Sequence, residues 1–371
     1  MIGNMYTQIS FFTGCGGSST GFHQSGGFVE VLAVEIDEHS VRSFNLNYPN
    51  VPVTNLTLFQ SGLKSGENEN MIIGVDKNLK GSDYLGMANG MFPEFNNGNK
   101  IELKQGELDV LAASPPCQDF STINTRKKFK PNSEKVQLFF ETIRLIKEIK
   151  PRVAVIENVP GMMMGTAMKK TFLYILKALH ESEYSFAFNI LNATHYGVPQ
   201  DRNRVIFLCV RKDVASKVLG RAGFDPNWWP VPLEIDRESL ALKRVVPRAS
   251  YYSSGEFQDK ILPADRVVGT ITKTPSMSFY DEKFERLEPT IREVKLLCGF
   301  PEGYLLYDNS HQGRTNPEDG NRPYTDPATG KEYNYTEKHY RLGNAVPPPM
   351  MRAIAQSIKE KILAPYYSIT E

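Results

Sequence analysis

Cysteine is scarce in this chain and never closely paired: Cys15, Cys117, Cys209 and Cys298 are scattered through 371 residues with no C-x-x-C among them. That pattern points to neither a disulfide framework nor a zinc site, so no metal is expected and a reducing, cytoplasmic setting fits best. No run approaches the ~18 consecutive apolar residues of a membrane span. The start, Met1-Ile-Gly-Asn-Met-Tyr6, has no basic region followed by an apolar one, so neither a membrane span nor a secretion signal is expected. An excess of one charge is missing too, with 43 Lys and Arg against 42 Asp and Glu. This balance neither requires nor forbids a nucleic-acid partner, because phosphate binding depends on where cations cluster. What is present, 40% hydrophobic and 23% charged residues, is an ordinary globular composition with length enough for two domains.

One cysteine stands apart by its setting. Cys117 follows Pro115-Pro116, which in turn follows the apolar run Val110-Leu-Ala-Ala113. Proline fixes φ and removes a donor, so the strand ends there and the thiol sits on a turn at its C-terminal edge. Ligands of open α/β sheets bind at that edge. Alone, a cysteine after two prolines is more often a plain turn residue, and the rest of the chain must decide. About ten residues on, Arg126-Lys-Lys-Phe-Lys130 forms a basic cluster in a loop-like stretch; read alone, it is a solvated charge run.

The order of elements predicts a doubly wound α/β sheet. Gln8 to Phe12 is a short apolar strand that runs into Thr13-Gly-Cys-Gly-Gly17 and then a helix. Val29 to Val34 is a second strand, ending in Glu35-Ile36-Asp37, and a carboxylate there suits a bidentate hydrogen bond to ribose hydroxyls. A helix from Glu38 to Tyr48 and a strand near Val51 to Leu56 follow. Residues 57–106 read as an insertion of loops and short elements. The alternation resumes with strand Val110 to Ala113, helix Ser133 to Ile149, strand Val153 to Ile156, helix Lys169 to Glu183 and strands Phe186 to Leu191 and Arg204 to Val210. After Arg211 the texture turns to proline-rich, short strand-like pieces, so a second, smaller domain is expected over 212–335. Residues 1–211 with 336–371 then form the first domain, and 308–335 reads as a long polar loop.

Further polar segments fall where such a fold would present them to one cleft: Glu157-Asn-Val-Pro-Gly161, Gln200-Asp-Arg-Asn-Arg204 and Arg341-Leu-Gly-Asn-Ala-Val-Pro-Pro-Pro349. Together with Phe12-Thr-Gly-Cys-Gly-Gly17, Glu35-Ile36 and Pro115-Pro-Cys-Gln118, this order and spacing resembles the cytosine-C5 DNA methyltransferase family. The resemblance runs nearly end to end, failing only in 57–106 and about 212–265. It implies a Rossmann-like methyltransferase sheet with a smaller target-recognition domain, S-adenosylmethionine as methyl donor and duplex DNA as substrate.

The same resemblance implies roles. Cys117, between Pro116 and Gln118, matches the nucleophile that adds to cytosine C6, and a thiol of pKa near ~8.5 needs help to ionise there. Glu157 matches the acid at N3, Arg204 the contact to O2, and Arg202 its neighbour by the catalytic loop. Phe12 resembles the aromatic that packs on adenine, Gly14, Gly16 and Gly17 the turn that lets the methionine part approach, and Glu35 the ribose ligand, with Ile36 against adenine. Asn55 stands where Asp is usual, and Ser10 where an acid is. Asn344 resembles the residue holding the catalytic proline segment. Pro289 and Cys298 stand where Leu and Gln are usual, in a motif whose expected role is structural, and Cys15, Cys209 and Cys298 read as small buried hydrophobes. The loop from Gln118 to Pro131 matches the one that closes on DNA around an extruded base, making Ser121, Arg126, Lys127, Lys128 and Lys130 DNA contacts.

Three rivals remain at this point. A tRNA-acting branch of the family carries a Cys-Phe-Thr tripeptide, which this chain lacks. An inactive DNA-binding homologue would have no need of Cys117, Glu157, Arg204 and Asn344 together. A nicotinamide-dependent enzyme would explain Gly14-x-Gly16-Gly17 but neither Pro-Pro-Cys-Gln nor Gln-x-Arg-x-Arg. Members usually act as monomers, and the resemblance leaves open whether a cognate restriction endonuclease, not physically required, partners the enzyme or it stands alone.

Overall fold

The architecture comes from a computed structural model. It describes residues 5–51, 53–54, 71–72, 75–76, 79–90, 102–116, 134–164, 166–253, 260–273, 277–307, 324–325, 332–333 and 337–370. Seven strands form the main sheet: β1 (Tyr6–Phe11), β2 (Phe28–Val34), β3 (Val53–Thr54), β4 (Val110–Ala113), β5 (Val153–Asn158), β6 (Tyr184–Asn192) and β7 (Asn203–Arg211). Their spatial order is β3-β2-β1-β4-β5-β7-β6. The first five run parallel, and β7 lies antiparallel to both β5 and β6.

Both faces are covered, which is why the central strands read as unbroken apolar runs. Along β4, Leu111 and Ala113 point to one face, Val110 and Ala112 to the other. The first face packs against helices α3 (Gly81–Gly90), α4 (Glu134–Ile149) and α5 (Thr166–His180), through Tyr84 and Leu85, Phe139 and Ile143, Phe172 and Ile175. The second packs against α1 (Gly17–Ser25), α6 (Lys212–Leu219), α9 (Pro348–Ile358) and α10 (Ala364–Thr370), through Phe22, Val214, Met350, Ile354 and Tyr366. The doubly wound sheet expected from the sequence is the one observed. One buried knot ties its ends together: Asp109 accepts from the Thr7 N–H at 2.8 Å, from the Tyr367 hydroxyl at 2.6 Å and from Arg152 at 3.2 Å.

Among the short elements expected in the insertion is α3, which buries Tyr84, Leu85 and Ala88 in the core. The second-face core also takes in residues past Arg211. Val214, Ala215 and Trp228 join it, the Ser357 hydroxyl donates to the Trp228 carbonyl at 2.8 Å, and the Lys361 ammonium to the Trp229 carbonyl at 2.9 Å. These contacts join the chain as far as residue 229 to the sheet's second face.

Beyond it, β8 (Tyr251–Ser253), β9 (Ile261–Pro263), β10 (Phe279–Tyr280) and β11 (Arg286–Leu287) make an antiparallel sheet in the order β9-β8-β10-β11. Its core holds Leu242, Val246, Tyr252, Val268, Phe279 and Leu297, the last on α7 (Ile291–Leu297). Thr290 caps α7 in a reciprocal box with Glu293, and Arg248 pairs with that Glu293 at 2.7 Å. The structural role expected of the segment around Pro289 agrees with this. Cys15 and Leu342, the latter on α8 (Glu337–Asn344), extend the same core into the first domain. Among the described residues, no helix is long and apolar enough to cross a membrane, and no cluster of His, Cys, Asp and Glu is arranged to hold a metal.

Candidate active site

Strand order fixes the place of the cleft. β1 runs on to its neighbour β2 while β4, on its other side, runs on to β5, so the connections from these two tips part in opposite directions, and the crevice at such a reversal is where open α/β sheets bind ligands. The tips are laced together. The Ser114 N–H donates to the Phe11 carbonyl at 3.2 Å and the Thr13 N–H to the Val34 carbonyl at 3.3 Å. This places Phe12 to Gly14, Glu35, Ser114 to Pro116 and Glu157 along one edge.

The glycine turn divides its labour. Phe12 is buried with φ +57°, a left-handed backbone that a bulky side chain adopts only where its surroundings enforce it. Gly14 shares that φ, and a Cβ there would meet nothing within 4 Å, so its surroundings are open. Gly16 and Gly17 answer to the protein itself. A Cβ on Gly16 would come 2.6 Å from the Tyr304 hydroxyl, and one on Gly17 would strike the Val346 carbonyl. Tyr304 in turn donates to the Cys15 carbonyl. Of the three glycines read as making room for a cofactor, only Gly14 faces open space; Gly16 makes room for Tyr304 and Phe44, and Gly17 for Val346 of the 341–349 segment. Asn344 stands exposed at the end of α8 in that segment.

Glu35 binds the turn from below. One carboxylate oxygen accepts from the Ile36 and Asp37 N–H groups at 2.8 and 2.9 Å, the other from the Gly14 N–H at 2.6 Å. Burial raises its pKa above the ordinary value, partly offset by these amides. A carboxylate has about four acceptor sites, and three are taken. It therefore keeps acceptor capacity toward a ligand hydroxyl. Ile36 is half-buried beside it.

The second cluster sits at the tips of β5 and β7. Glu157 and Arg204 project on one sheet face as diagonal neighbours, Glu157 lying opposite Ile206 in the antiparallel register. Arg204 Nε donates to Glu157 Oε1 at 2.8 Å, and each side chain is about 10% exposed. Asn158, quoted from the sequence but given no role there, donates through Nδ2 to the Pro115 carbonyl at 3.1 Å and accepts from the Val159 N–H at 2.9 Å. It moors the proline turn beside Glu157. Pro115 is buried and Pro116 half-buried. Cys117, Gln118, Ser121, Arg126, Lys127, Lys128, Lys130 and Asn55 lie outside the described residues.

Arg202 turns away from this pair. It is fully buried, its guanidinium donating to the carbonyls of Ile271 at 2.8 Å, Gly343 at 3.0 Å and Ala345 at 3.1 Å. Gln200 works with it, donating to the Leu297 carbonyl at 3.1 Å and accepting from the Ile271 N–H at 3.0 Å. The two hold both domains and the 341–349 segment together, so Arg202 is a positioning residue. Burial pushes the Cys15 and Cys209 thiols up to about 12 and Cys298 up to about 11, which agrees with their reading as inert core residues.

The family model for C-5 cytosine-specific DNA methylase matches residues 6–75 and 89–228, more than half of the chain. Type II methyltransferase M.SsoII of Shigella sonnei is 25% identical over 95% of this chain and 80% of its own. Type II methyltransferase M.NgoPII of Neisseria gonorrhoeae is 29% identical over 95% of both. A solved structure titled as a putative DNA modification methyltransferase encoded within a prophage of E. coli shares the fold, with a TM-score of 0.56 at 19% identity over 96% of this chain and 99% of that one.

Proposed function

The chain belongs to the C-5 cytosine-specific DNA methylase family, and on that premise we propose how its residues carry out the transfer of a methyl group to cytosine C5 in DNA. Family members use S-adenosylmethionine, and the open cradle over Gly14 with the remaining acceptor site on Glu35 fits it. Phe12 and Ile36 would pack against its adenine, Glu35 would take a ribose hydroxyl, and Asn55 and Asn344 would serve the base and the methionine end. Bound there, it supplies an electrophilic methyl group on a sulfonium.

The protein's own residues do the rest. Cys117, presented by Pro116 and flanked by Gln118, adds its thiolate to C6, forming the Sγ–C6 bond while the C5–C6 π electrons move to C5. Glu157 offers a proton or hydrogen bond at N3 and Arg204 holds O2, so that charge loaded into the ring is met on both sides. After C5 is methylated, loss of its proton expels the thiolate and restores the double bond. The observation that carries this reading is the Glu157–Arg204 pair, 2.8 Å apart, beside a proline turn moored by Asn158. A stacked, paired cytosine cannot reach these groups, so the base leaves the helix at a cost of a few kcal/mol. Contacts from Ser121, Arg126, Lys127, Lys128 and Lys130 to the backbone offset that cost. Among the described residues, the cleft groups Phe12, Glu35, Glu157 and Arg204 come from one chain, which supports one chain as the catalytic unit, acting on DNA in the cytoplasm.

Labelled methyl transfer to duplex DNA, with 5-methylcytosine as the only modified base, tests the reading; transfer to tRNA and not DNA would overturn it. Two narrower results are expected. Glu35→Gln aims an amide donor at backbone N–H groups, so S-adenosylmethionine binding weakens by about 10- to 100-fold, read by calorimetry, from hydrogen bonds to a charged group worth about 1.5–3 kcal/mol. Neutralising Arg126, Lys127, Lys128 and Lys130 together lowers the slope of log affinity against log salt by about 0.9 for each cation that meets a phosphate. An unchanged slope returns them to a solvated face.

A further inference from the structure

Residues 304–307 follow α7 and bond to two separate elements of the first domain. Tyr304, 5% exposed, reaches the glycine turn: its hydroxyl donates to the Cys15 carbonyl and lies 2.6 Å from where a Cβ on Gly16 would stand. Burial pushes the pKa of that hydroxyl well above its ordinary value, so it stays protonated and able to donate. Its ring packs on Phe300, with 4.7 Å between centroids. The next residues run along α2 (Glu38–Asn47), the helix that follows Glu35 and Ile36. Asn47 clamps Leu305, accepting from its N–H at 2.9 Å and donating to its carbonyl at 2.8 Å. Ser43 Oγ accepts from the Tyr307 N–H at 3.1 Å, and Arg341 donates to the Tyr307 carbonyl at 2.6 Å. The buried Lys295 of α7 fixes the near end, donating to the carbonyls of Glu302 and Tyr304.

We infer that residues 304–307 brace the cofactor cradle, and that Tyr304 is a positioning residue for S-adenosylmethionine; this rests on the reading of Gly14 and Glu35 as that cradle. The placement of the bonds carries it. The glycine turn and Glu35 belong to different strand-to-helix connections, β1 to α1 and β2 to α2, which meet where the Gly14 N–H donates to Glu35 and the Thr13 N–H to the Val34 carbonyl. Residues 304–307 bond to both connections at once, Tyr304 to the turn and Leu305 and Tyr307 to the helix behind Glu35. They therefore set the spacing of the two parts before a ligand arrives, and preorganisation of that kind favours binding. Without the hydroxyl, the Cys15 carbonyl loses this donor and Gly16 its neighbour, and the turn is free to relax away from Glu35. Tyr304 thus acts through Cys15 and Gly16, and its loss falls on affinity for the donor more than on the chemical step.

Calorimetric titration of the full chain with S-adenosylhomocysteine, the unreactive product, tests this. Tyr304→Phe keeps the ring and weakens binding about 3- to 10-fold, the range that one net hydrogen bond supports. KM for S-adenosylmethionine rises by the same factor, while kcat at saturating donor stays within about twofold of wild type. Asn47→Ala, which frees Leu305 from α2 and leaves Tyr304 in place, weakens binding similarly. The double variant loses less than the product of the two single losses, because either change releases the same brace. A Tyr304 that served the fold alone would lower the melting temperature and leave Kd and KM of the folded protein unchanged; that result, or single losses that multiply, would overturn the inference. No binding by wild type would overturn the cofactor reading beneath it, whereas wild-type binding that Tyr304→Phe matches would overturn the brace alone.

Discussion

Cys117→Ser eliminates methyl transfer, a loss of at least about 10⁴-fold, while affinity for duplex DNA stays within a few-fold of wild type. Nucleophilicity sets the loss: a thiol is a few per cent ionised at neutral pH and attacks strongly, whereas a serine hydroxyl in its place has no comparable ionised fraction. Position adds to it, since the preceding Pro115–Pro116 turn is moored to Asn158 at the edge where Glu157 and Arg204 converge. No other cysteine takes over. Cys15, Cys209 and Cys298 are buried, with thiols pushed up to about 12, 12 and 11. A thiol reagent on the native protein should accordingly find one fast site in wild type and none in Cys117→Ser. Turnover retained by the variant would remove Cys117 as the nucleophile.

Glu157→Gln slows transfer by about 10²- to 10⁴-fold, the range that a positioned acid or base supplies. The amide keeps the volume and still presents an oxygen to Arg204 Nε, so the fold and S-adenosylmethionine binding are retained and the loss falls on kcat. Glu157→Ala differs in kind. It strands a guanidinium whose side chain is about 10% exposed, and breaking such a pair costs about 3–5 kcal/mol. Stability should separate the two variants while their turnover is similarly low. An undiminished kcat in Glu157→Gln would refute the assigned role at N3.

Much of this frame is readable in the sequence because burial on both sheet faces leaves a plain signature. Val110 to Ala113 and Val153 to Ile156 are apolar without alternation, and each ends in residues that break a strand or carry charge. The cleft is legible for the same reason, since polar groups at strand tips have one edge to share. What stayed hidden depends on three-dimensional accounting. α3 is punctuated by Gly81, Gly86 and Gly90, which mask the core-facing Tyr84, Leu85 and Ala88. Trp228 and Trp229 sit among prolines and read as loop, though their carbonyls bind residues of the distant C-terminal helices. A glycine cannot announce whether it faces open space, as Gly14 does, or yields to the chain's own Val346, as Gly17 does. Nor does the spacing of Gln200, Arg202 and Arg204 reveal that two of the three clamp backbone carbonyls while the third meets Glu157.

The central claim is a covalent bond between Cys117 and cytosine C6. Duplex DNA carrying 5-fluorocytosine in varied contexts, incubated with the protein and labelled S-adenosylmethionine, tests it directly, because fluorine at C5 blocks the elimination that would release the enzyme. The account predicts a denaturation-resistant protein–DNA adduct that carries the label, is lost in Cys117→Ala, and reveals the target sequence through the duplexes trapped. No adduct with DNA, or one that persists in Cys117→Ala, would contradict it.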